Sequence, residues 1–269
     1  MPPRIPALIN MKRVSETMLV ATRLFRRDLD REFSSAFLGY LWNFADPLII
    51  AGVFVVLRSG GVIADENLAI PFGVYVVYGM LLLKAFTNAL TRPLSLIRRS
   101  SSILSQAQVS PFGLLGGDVL RLLFDLAFYI PVLIAVSLIM GSFNLLGFLI
   151  FLCLLPCMTL AGLSLSVLLA PINCIYSDIN RFASSLQRPL IFVCPTFYRP
   201  NQDSIFADVF DVYNPIAILM NNLRQLAVMG TWHDLHSFVV VIAVCVVLFV
   251  FGLIFFSRAV PLVGGNVSI

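Results

Sequence analysis

The feature that most constrains this chain is a succession of long, almost uncharged apolar segments. The last of them, residues 237–256, contains no charged residue at all. A helix needs about 20 apolar residues to cross the hydrocarbon core of a bilayer. Of the 269 residues, 59% are hydrophobic and only 12% are charged, about half the charge of a typical soluble domain. The chain is therefore predicted to be an integral membrane protein.

The apolar pattern predicts an all-α membrane protein with six embedded segments. These are residues 37–57, 68–91, 119–140, 144–169, 182–198 and 237–256. Residues 199–236 contain only apolar patches that are too short to cross, so we predict a short re-entrant or interfacial hairpin before the last span. Residues 1–36 form a separate N-terminal part, and residues 37–269 form the six-span domain.

The distribution of Lys and Arg predicts the orientation, because short cytoplasmic loops carry an excess of both. Thirteen of these residues fall in the N-terminal part, the loops after spans two and four, the start of span five and the C-terminus. Two more, Lys84 and Arg121, lie within spans. Only Arg58, Arg199 and Arg224 fall on the other side. Both termini are therefore predicted to be cytoplasmic.

Residues 15–35 are predicted to form an amphipathic helix. Apolar residues recur at spacings of three to four and make one face; they are Met18, Ala21, Phe25, Leu29 and Phe33. Basic residues occupy the rest of the surface, which is typical of a helix that lies in the membrane interface.

The chain shows no constellation that indicates catalysis or a metal site. Its two histidines, His233 and His236, mark a polar boundary before the last span, and its five cysteines fit a packing role in apolar surroundings. A phosphate-binding Walker A pattern is missing, since the pair Gly-Lys occurs nowhere. We therefore expect a protein that binds and moves a substrate and is not an enzyme.

Lys84 lies within predicted span two, and Asp118, Arg121 and Asp125 lie at the start of span three. Lys84 is close enough to the cytoplasmic side to extend its ammonium group to the interface. Arg121 is three residues from Asp118 and four from Asp125, so the three share a helix face and can neutralise one another. A functional contact is the alternative, because intramembrane charges are often functional.

Several stretches, in order along most of the chain, resemble the polysaccharide-export permeases of ABC transporters. RRDLDREFSSAFLGYLWNFADPLI (26–49) is similar to the family's N-terminal signature, in which a charged interfacial helix leads into Leu-Gly-x-x-Trp and then Pro. QVSPFG (108–113) stands where the family has its loop after span two. YSDINRFASSLQRPLIFVCPTFYRP (176–200) and YNPIAILMNNLRQ (213–225) resemble segments around span five and before the last span.

The resemblance implies a transport subunit of an ATP-driven exporter. Two copies of the chain would pair around a central path, and two cytoplasmic ATPase subunits would bind ATP and Mg, so this chain would hold no cofactor. The N-terminal helix and the loop after span two would transmit ATPase motion. The coupling candidates on them are Arg27, Arg31, Ser100, Ser101, Ser102 and Gln106.

The implied cargo is a cell-surface polysaccharide or its lipid-linked form, of the O-antigen, capsule or teichoic acid type. The implied location is the bacterial inner (cytoplasmic) membrane, with membrane lipid and periplasmic export proteins as further partners and no nucleic acid. Two alternatives stay open: an ABC permease for a lipid or drug, and a multispanning enzyme that transfers glycans.

Aromatic residues would suit a glycan path, because sugars stack their apolar C–H faces on aromatic rings. The candidates for lining it, with packing or interfacial roles as the alternative, are Tyr40, Trp42, Asp46, Tyr75, Tyr78, Phe197 and Tyr198. Cations near the cytoplasmic entrance are candidates for contacting an anionic headgroup of the cargo; they are Arg98, Arg99 and Arg121.

Overall fold

The computed structural model of the chain describes residues 11–34, 42–61, 69–100, 111–198 and 213–264. Within these ranges the ordered elements are all helices, which confirms the predicted all-α class. They are α1 (Met11–Ser34), α2 (Trp42–Ser59), α3 (Phe72–Leu94), α4 (Leu96–Arg99), α5 (Pro111–Ile139), α6 (Leu145–Leu154), α7 (Pro156–Ile175), α8 (Asp178–Val193), α9 (Pro215–Met229) and α10 (Leu235–Gly264). The predicted domain boundary after residue 36 lies outside the described residues.

Among the described residues, four helical segments are long and apolar enough to cross a membrane. They are Phe72–Leu94, Pro111–Ile139, Leu145–Ile175 and Leu235–Ala259. The third combines α6 and α7, which are separated only at Leu155 because Pro156 has no N–H to continue the ladder. These segments correspond to predicted spans two, three, four and six. The chain is thus a helical, multi-pass membrane protein.

The other two predicted spans coincide with helices of different character. α2 covers most of residues 37–57, and the part of it whose side chains are described continuously, Leu48–Ser59, is apolar but shorter than a span. α8 ends at Val193 and a turn follows, so the helix covers only part of residues 182–198. Six spans therefore stay a prediction.

α3 is the central helix of the molecule. It packs against α2, α5, α7, α8 and α9. In its most apolar 18-residue stretch, 89% of the residues are buried inside the protein. Because α3 is covered on most sides, the few of its residues that remain partly exposed identify the one face that is open.

α9 begins and ends where its capping residues dictate. The side-chain oxygen of Asn214 accepts hydrogen bonds from the N–H groups of Ile216 (3.0 Å) and Ala217 (3.4 Å), and Pro215 fits the first helical position. Gly230 ends the helix with a left-handed φ of 73°, a conformation that glycine adopts without strain.

The N-terminal helix α1 packs on the first half of α5. Ala21 is buried there, and the ring of Phe25 meets Phe124 edge-on at a centroid distance of 5.4 Å. Met18 and Leu19, by contrast, are 67% and 57% exposed. The predicted apolar face is therefore partly used for packing on α5 and partly open, and its placement in the membrane interface stays a prediction.

Candidate functional site

A buried arginine organises the end of the molecule that is predicted to face outward. The Cζ of Arg224 on α9 lies 3.6 Å from the centroid of the Tyr75 ring on α3, and its Nη2 donates to the carbonyl oxygen of Pro195 at 2.9 Å. The hydroxyl of Tyr75 in turn donates to the carbonyl oxygen of Tyr198 at 3.2 Å. Arg224 and Tyr75 thus hold the turn of residues 194–198 against α3.

The turn can approach α3 this closely because residue 79 is a glycine. A Cβ atom on Gly79 would lie 2.6 Å from the carbonyl oxygen of Thr196 and 2.8 Å from Nη2 of Arg224. Thr196 fixes the turn from its other side, since its hydroxyl donates to the carbonyl oxygen of Ile191 at 2.6 Å. The backbone of the turn is therefore seated directly on α3.

The turn carries the centre of an aromatic cluster, which we define as Phe54, Tyr75, Phe192, Phe197 and Tyr198. The ring of Phe197 stacks on Phe54 of α2 with a centroid distance of 4.1 Å and an interplanar angle of 13°. It also meets Phe192 edge-on at 5.6 Å and Tyr198 at 5.4 Å. Phe192 is 62% exposed, so the cluster presents a ring face at the surface of the chain.

The predicted path residues are thus only partly brought together. Tyr75, Phe197 and Tyr198 meet in the aromatic cluster, whereas the buried Tyr78 hydrogen-bonds through its hydroxyl to that of Ser137 on α5 at 2.9 Å. The side chains of the remaining candidates are not described. Tyr40 lies outside the described residues, and of Trp42 and Asp46 only the backbone, in α2, is described.

An ion-pair network of Arg27, Asp28, Arg92, Arg99 and Asp118 joins four helices at the opposite, predicted cytoplasmic end. On α1, Asp28 pairs with Arg27 at 3.2 Å and with Arg92 of α3 at 3.3 Å. Asp118 on α5 pairs with Arg92 at 3.2 Å and with Arg99 of α4 at 2.5 Å. Only 3% of the Asp118 side chain is exposed, so its charge depends on these two arginines.

Two of the six predicted coupling residues, Arg27 and Ser100, lie at or beside this network. Arg27 belongs to it, and the buried Ser100 follows Arg99 at the end of α4. Ser101, Ser102 and Gln106 fall within residues 101–110, outside the described residues. Arg31 is part of α1, but its side chain is not described.

The three predicted headgroup contacts occupy different environments. Arg121 is 2% exposed and its Nε donates to Asp125 at 3.1 Å, as its spacing predicted. Arg99 is tied to Asp118, and Arg98 is exposed and donates to the carbonyl oxygen of Cys174 at 3.2 Å. A headgroup contact stays a prediction for all three; Arg98 and Arg99 are both exposed, whereas Arg121 is buried.

Sequence reasoning missed two of the organising residues. The charge count placed Arg224 in an outer segment, yet its side chain is buried against Tyr75. Asp118 was expected to share its charge with Arg121, but it pairs with Arg92 and Arg99 instead. The sequence did contain one signal for Arg224, because it lies in an otherwise largely apolar helical stretch. An arginine that is buried there needs a specific partner, since an unpaired buried charge is costly.

Together, these elements define a multi-pass helical membrane protein with an aromatic cluster at one end and an ion-pair network at the other. The chain is similar to the O-antigen export system permease protein RfbA of Myxococcus xanthus, with 24% identity over 228 residues, or 84% of this chain and 86% of that protein. No family model matches the chain. The similarity supports a permease of the ABC class, and hence a transport subunit rather than an enzyme.

Proposed function

We propose that this chain is the membrane subunit of an ATP-driven exporter that moves a polysaccharide, free or linked to a lipid, across the bacterial cytoplasmic membrane. The aromatic cluster is the observation that carries the proposal. A glycan offers apolar C–H faces between its hydroxyl groups, and an aromatic ring attracts such faces without demanding one fixed position. A partly exposed aromatic cluster, with the ring of Phe192 at its surface, therefore suits a polymer that has to slide past its binding site.

The similarity to RfbA supports the same class of cargo, because it extends over most of both chains. O-antigen and capsule polymers share the chemistry that an aromatic surface would bind, so the proposal covers both. The chain would act as a pair of copies around a common path, with both termini in the cytoplasm.

We further propose six membrane-embedded segments and a re-entrant course for the segment before the last span. α9 supports that course by where its two ends lie. Pro215 and Ile216, at its start, line the same cavity of about 330 Å³ as Phe86, which is about 21 Å from the start of α3. Its last turn ends at Gly230, beside Asn144 at the start of α6. α9 thus rises from the depth of mid-α3 back to the edge.

Two cytoplasmic ATPase subunits, which would hold ATP and Mg, are part of the proposal. The ion-pair network gives a physical route by which they could act, since it fastens α1 and α4 to α5. A displacement of the loop after Ser100 by an ATPase subunit would then move α1 and α5 together and would not be confined to that loop.

Purification of the tagged chain from its own host tests the proposal. We expect an ATPase subunit to co-purify, and mass spectrometry of the bound lipid fraction to detect a glycan or glycolipid. A chain that purifies alone, with phospholipid as its only bound molecule, would contradict the proposed function.

A further inference from the structure

An apolar cavity lies at the start of α9. Its volume is about 330 Å³, and four helices line it: α3 with Phe86, α7 with Ala161, α9 with Ile216 and α10 with Val241. Three of these helices, α3, α7 and α10, belong to segments that are long and apolar enough to cross a membrane. The cavity therefore lies within the membrane-embedded part of the chain.

The mouth of the cavity is on the apolar outer surface of the protein. Val240 and Val244 of α10 line the cavity and are about half exposed, and Leu165 of α7 lines it and is exposed as well. Only 17% of the most apolar stretch of α10 is buried inside the protein, and a helix that is apolar on all sides and yet exposed belongs in hydrocarbon. The mouth is thus continuous with the surface that contacts lipid.

From this mouth the cavity extends inward to residues that are shielded from the bilayer. Phe86, Leu219 and Cys245 line it and are all buried. On α10 the lining residues Val241, Cys245 and Leu248 recur at spacings of four and three, so they form one stripe about 10 Å long. The space is therefore elongated along α10 as well as deep.

The lining of the cavity does not suit water. Among the lining residues that the structure describes, only Ser164 and Tyr213 carry a hydroxyl group. The Ser164 hydroxyl donates to the carbonyl oxygen of Ala161 at 2.8 Å, and Tyr213 is largely exposed. A buried water needs about two to four polar partners, which the interior of this cavity does not provide. An empty space would forfeit dispersion contacts along its whole lining, so the lining favours an apolar occupant.

The size of the cavity fits part of a hydrocarbon chain. An apolar cavity of about 150 Å³ binds benzene, so one of about 330 Å³ accommodates an apolar group roughly twice as large. Phospholipid acyl chains are the bulk solvent at the mouth. By mass action they occupy such a site ahead of any scarcer lipid of similar affinity.

We propose that this cavity binds one acyl chain of a membrane phospholipid, which enters from the surface formed by α7 and α10. The inference goes beyond the proposed function, because it requires neither a glycan nor an ATPase subunit. The chain fills the space beside Ile216 and Leu219, so it supports the first turns of α9 against α3, α7 and α10.

Native mass spectrometry of the full chain tests the site. The protein is purified in detergent and washed until bulk phospholipid is gone, and the phospholipid that remains on each copy is counted. Val241→Phe is the test variant, because its added ring fills the cavity from the half-buried side of α10. Val247→Phe is the matched control, because it makes the same change on the same helix at a residue that is 67% exposed and lies outside the cavity.

We expect the native chain and Val247→Phe to keep a single phospholipid per copy. Val241→Phe should keep at least about tenfold less, because the ring and the acyl chain compete for one space. Equal retention by the two variants would overturn the site, as would a native chain that keeps no lipid. A retained mass that matches a polyprenyl-linked glycan would overturn phospholipid as the occupant.

Photocrosslinking of the native chain tests the same site without any substitution. The chain is reconstituted in vesicles that contain a phosphatidylethanolamine with a diazirine midway along one acyl chain, and the adducts are located by peptide mass spectrometry. We expect adducts at Phe86 or Leu219, because these buried residues are reached from the bilayer through the cavity. Adducts confined to exposed residues such as Val247 and Phe251 would contradict entry of the acyl chain.

Discussion

The guanidinium of Arg224 stacks on the ring of Tyr75, with 3.6 Å between Cζ and the ring centroid. This contact joins α9 to α3, and the hydrogen bond from Arg224 to Pro195 adds the turn after α8. One buried cation therefore fixes three segments at the predicted outer end. Intramembrane cations are seldom kept without a role, and here the role is to hold the surface that carries the aromatic cluster.

Arg224→Met should destabilise the protein. The substitution removes a desolvated cation–π contact and leaves the Pro195 oxygen without its donor, so we expect the free energy of unfolding to fall by about 3 kcal/mol. Thermal unfolding of the detergent-solubilised protein measures the change. Arg258→Met is the control, since Arg258 is exposed near the end of α10. Equal effects of the two substitutions would contradict the structural role of Arg224.

Gly79→Ala should displace the turn from α3. Its Cβ would lie 2.6 Å from the carbonyl oxygen of Thr196, which is too close for either backbone to keep its place, so we expect a loss of about 1–3 kcal/mol in unfolding free energy. Gly52→Ala is the matched control, because no atom lies within 4 Å of its Cβ position. That substitution should be neutral or slightly stabilising. Thermal unfolding is compared between the two variants. Overlapping unfolding curves would contradict the close contact between Gly79 and the backbone of the turn.

Asp118→Asn should loosen α1 and α4 from α5. The carboxylate accepts from Arg92 and Arg99 in a site where only 3% of its side chain is exposed, so we expect a cost of about 3 kcal/mol. Limited trypsin digestion should then cleave more rapidly at Arg23 in α1. Asp178→Asn removes an exposed ion pair instead, with 87% of its side chain exposed, and should change little. Unchanged digestion of Asp118→Asn would argue against the network.

Replacing Phe54 and Phe197 together by Leu should impair export more than stability. The stacked pair is worth about 0.5–1.5 kcal/mol beyond its buried area, so the protein should still fold. If glycan slides over these rings, export should fall by about tenfold, equivalent to about 1.4 kcal/mol in the barrier. Export of labelled polymer and ATPase activity are measured together. Phe251→Leu, a change at a 60% exposed ring on α10, should leave both unchanged. Normal export by the double variant would exclude the aromatic cluster as a path.

The sequence predicted that the long helices exist more accurately than it predicted the residues at which they begin. α5 starts at Pro111, whereas the predicted span starts at residue 119. The charged residue Asp118 lies just before the predicted start of that span. In the structure, Asp118 and Arg121 are both paired with oppositely charged residues, so the helix can carry them inward.

The contacts that form the two ends of the molecule were not predictable from spacing. Arg121 and Asp125 are four residues apart on one helix, and their pairing was predicted for that reason. Asp118 and Arg92 are 26 residues apart, and their pairing depends on how α3 and α5 pack. Tyr75 and Arg224 are further apart still. Periodicity describes single helices, whereas these contacts arise only when helices meet.

Depletion of the chain in its host is the sharpest test of glycan export. Surface glycan is measured on intact cells, and lipid-linked glycan is measured in the cytoplasmic membrane fraction of the same cells. We expect surface glycan to disappear while the lipid-linked form accumulates inside, and the native chain to restore both. Surface glycan that stays at its normal level after depletion would show that the chain is not its exporter.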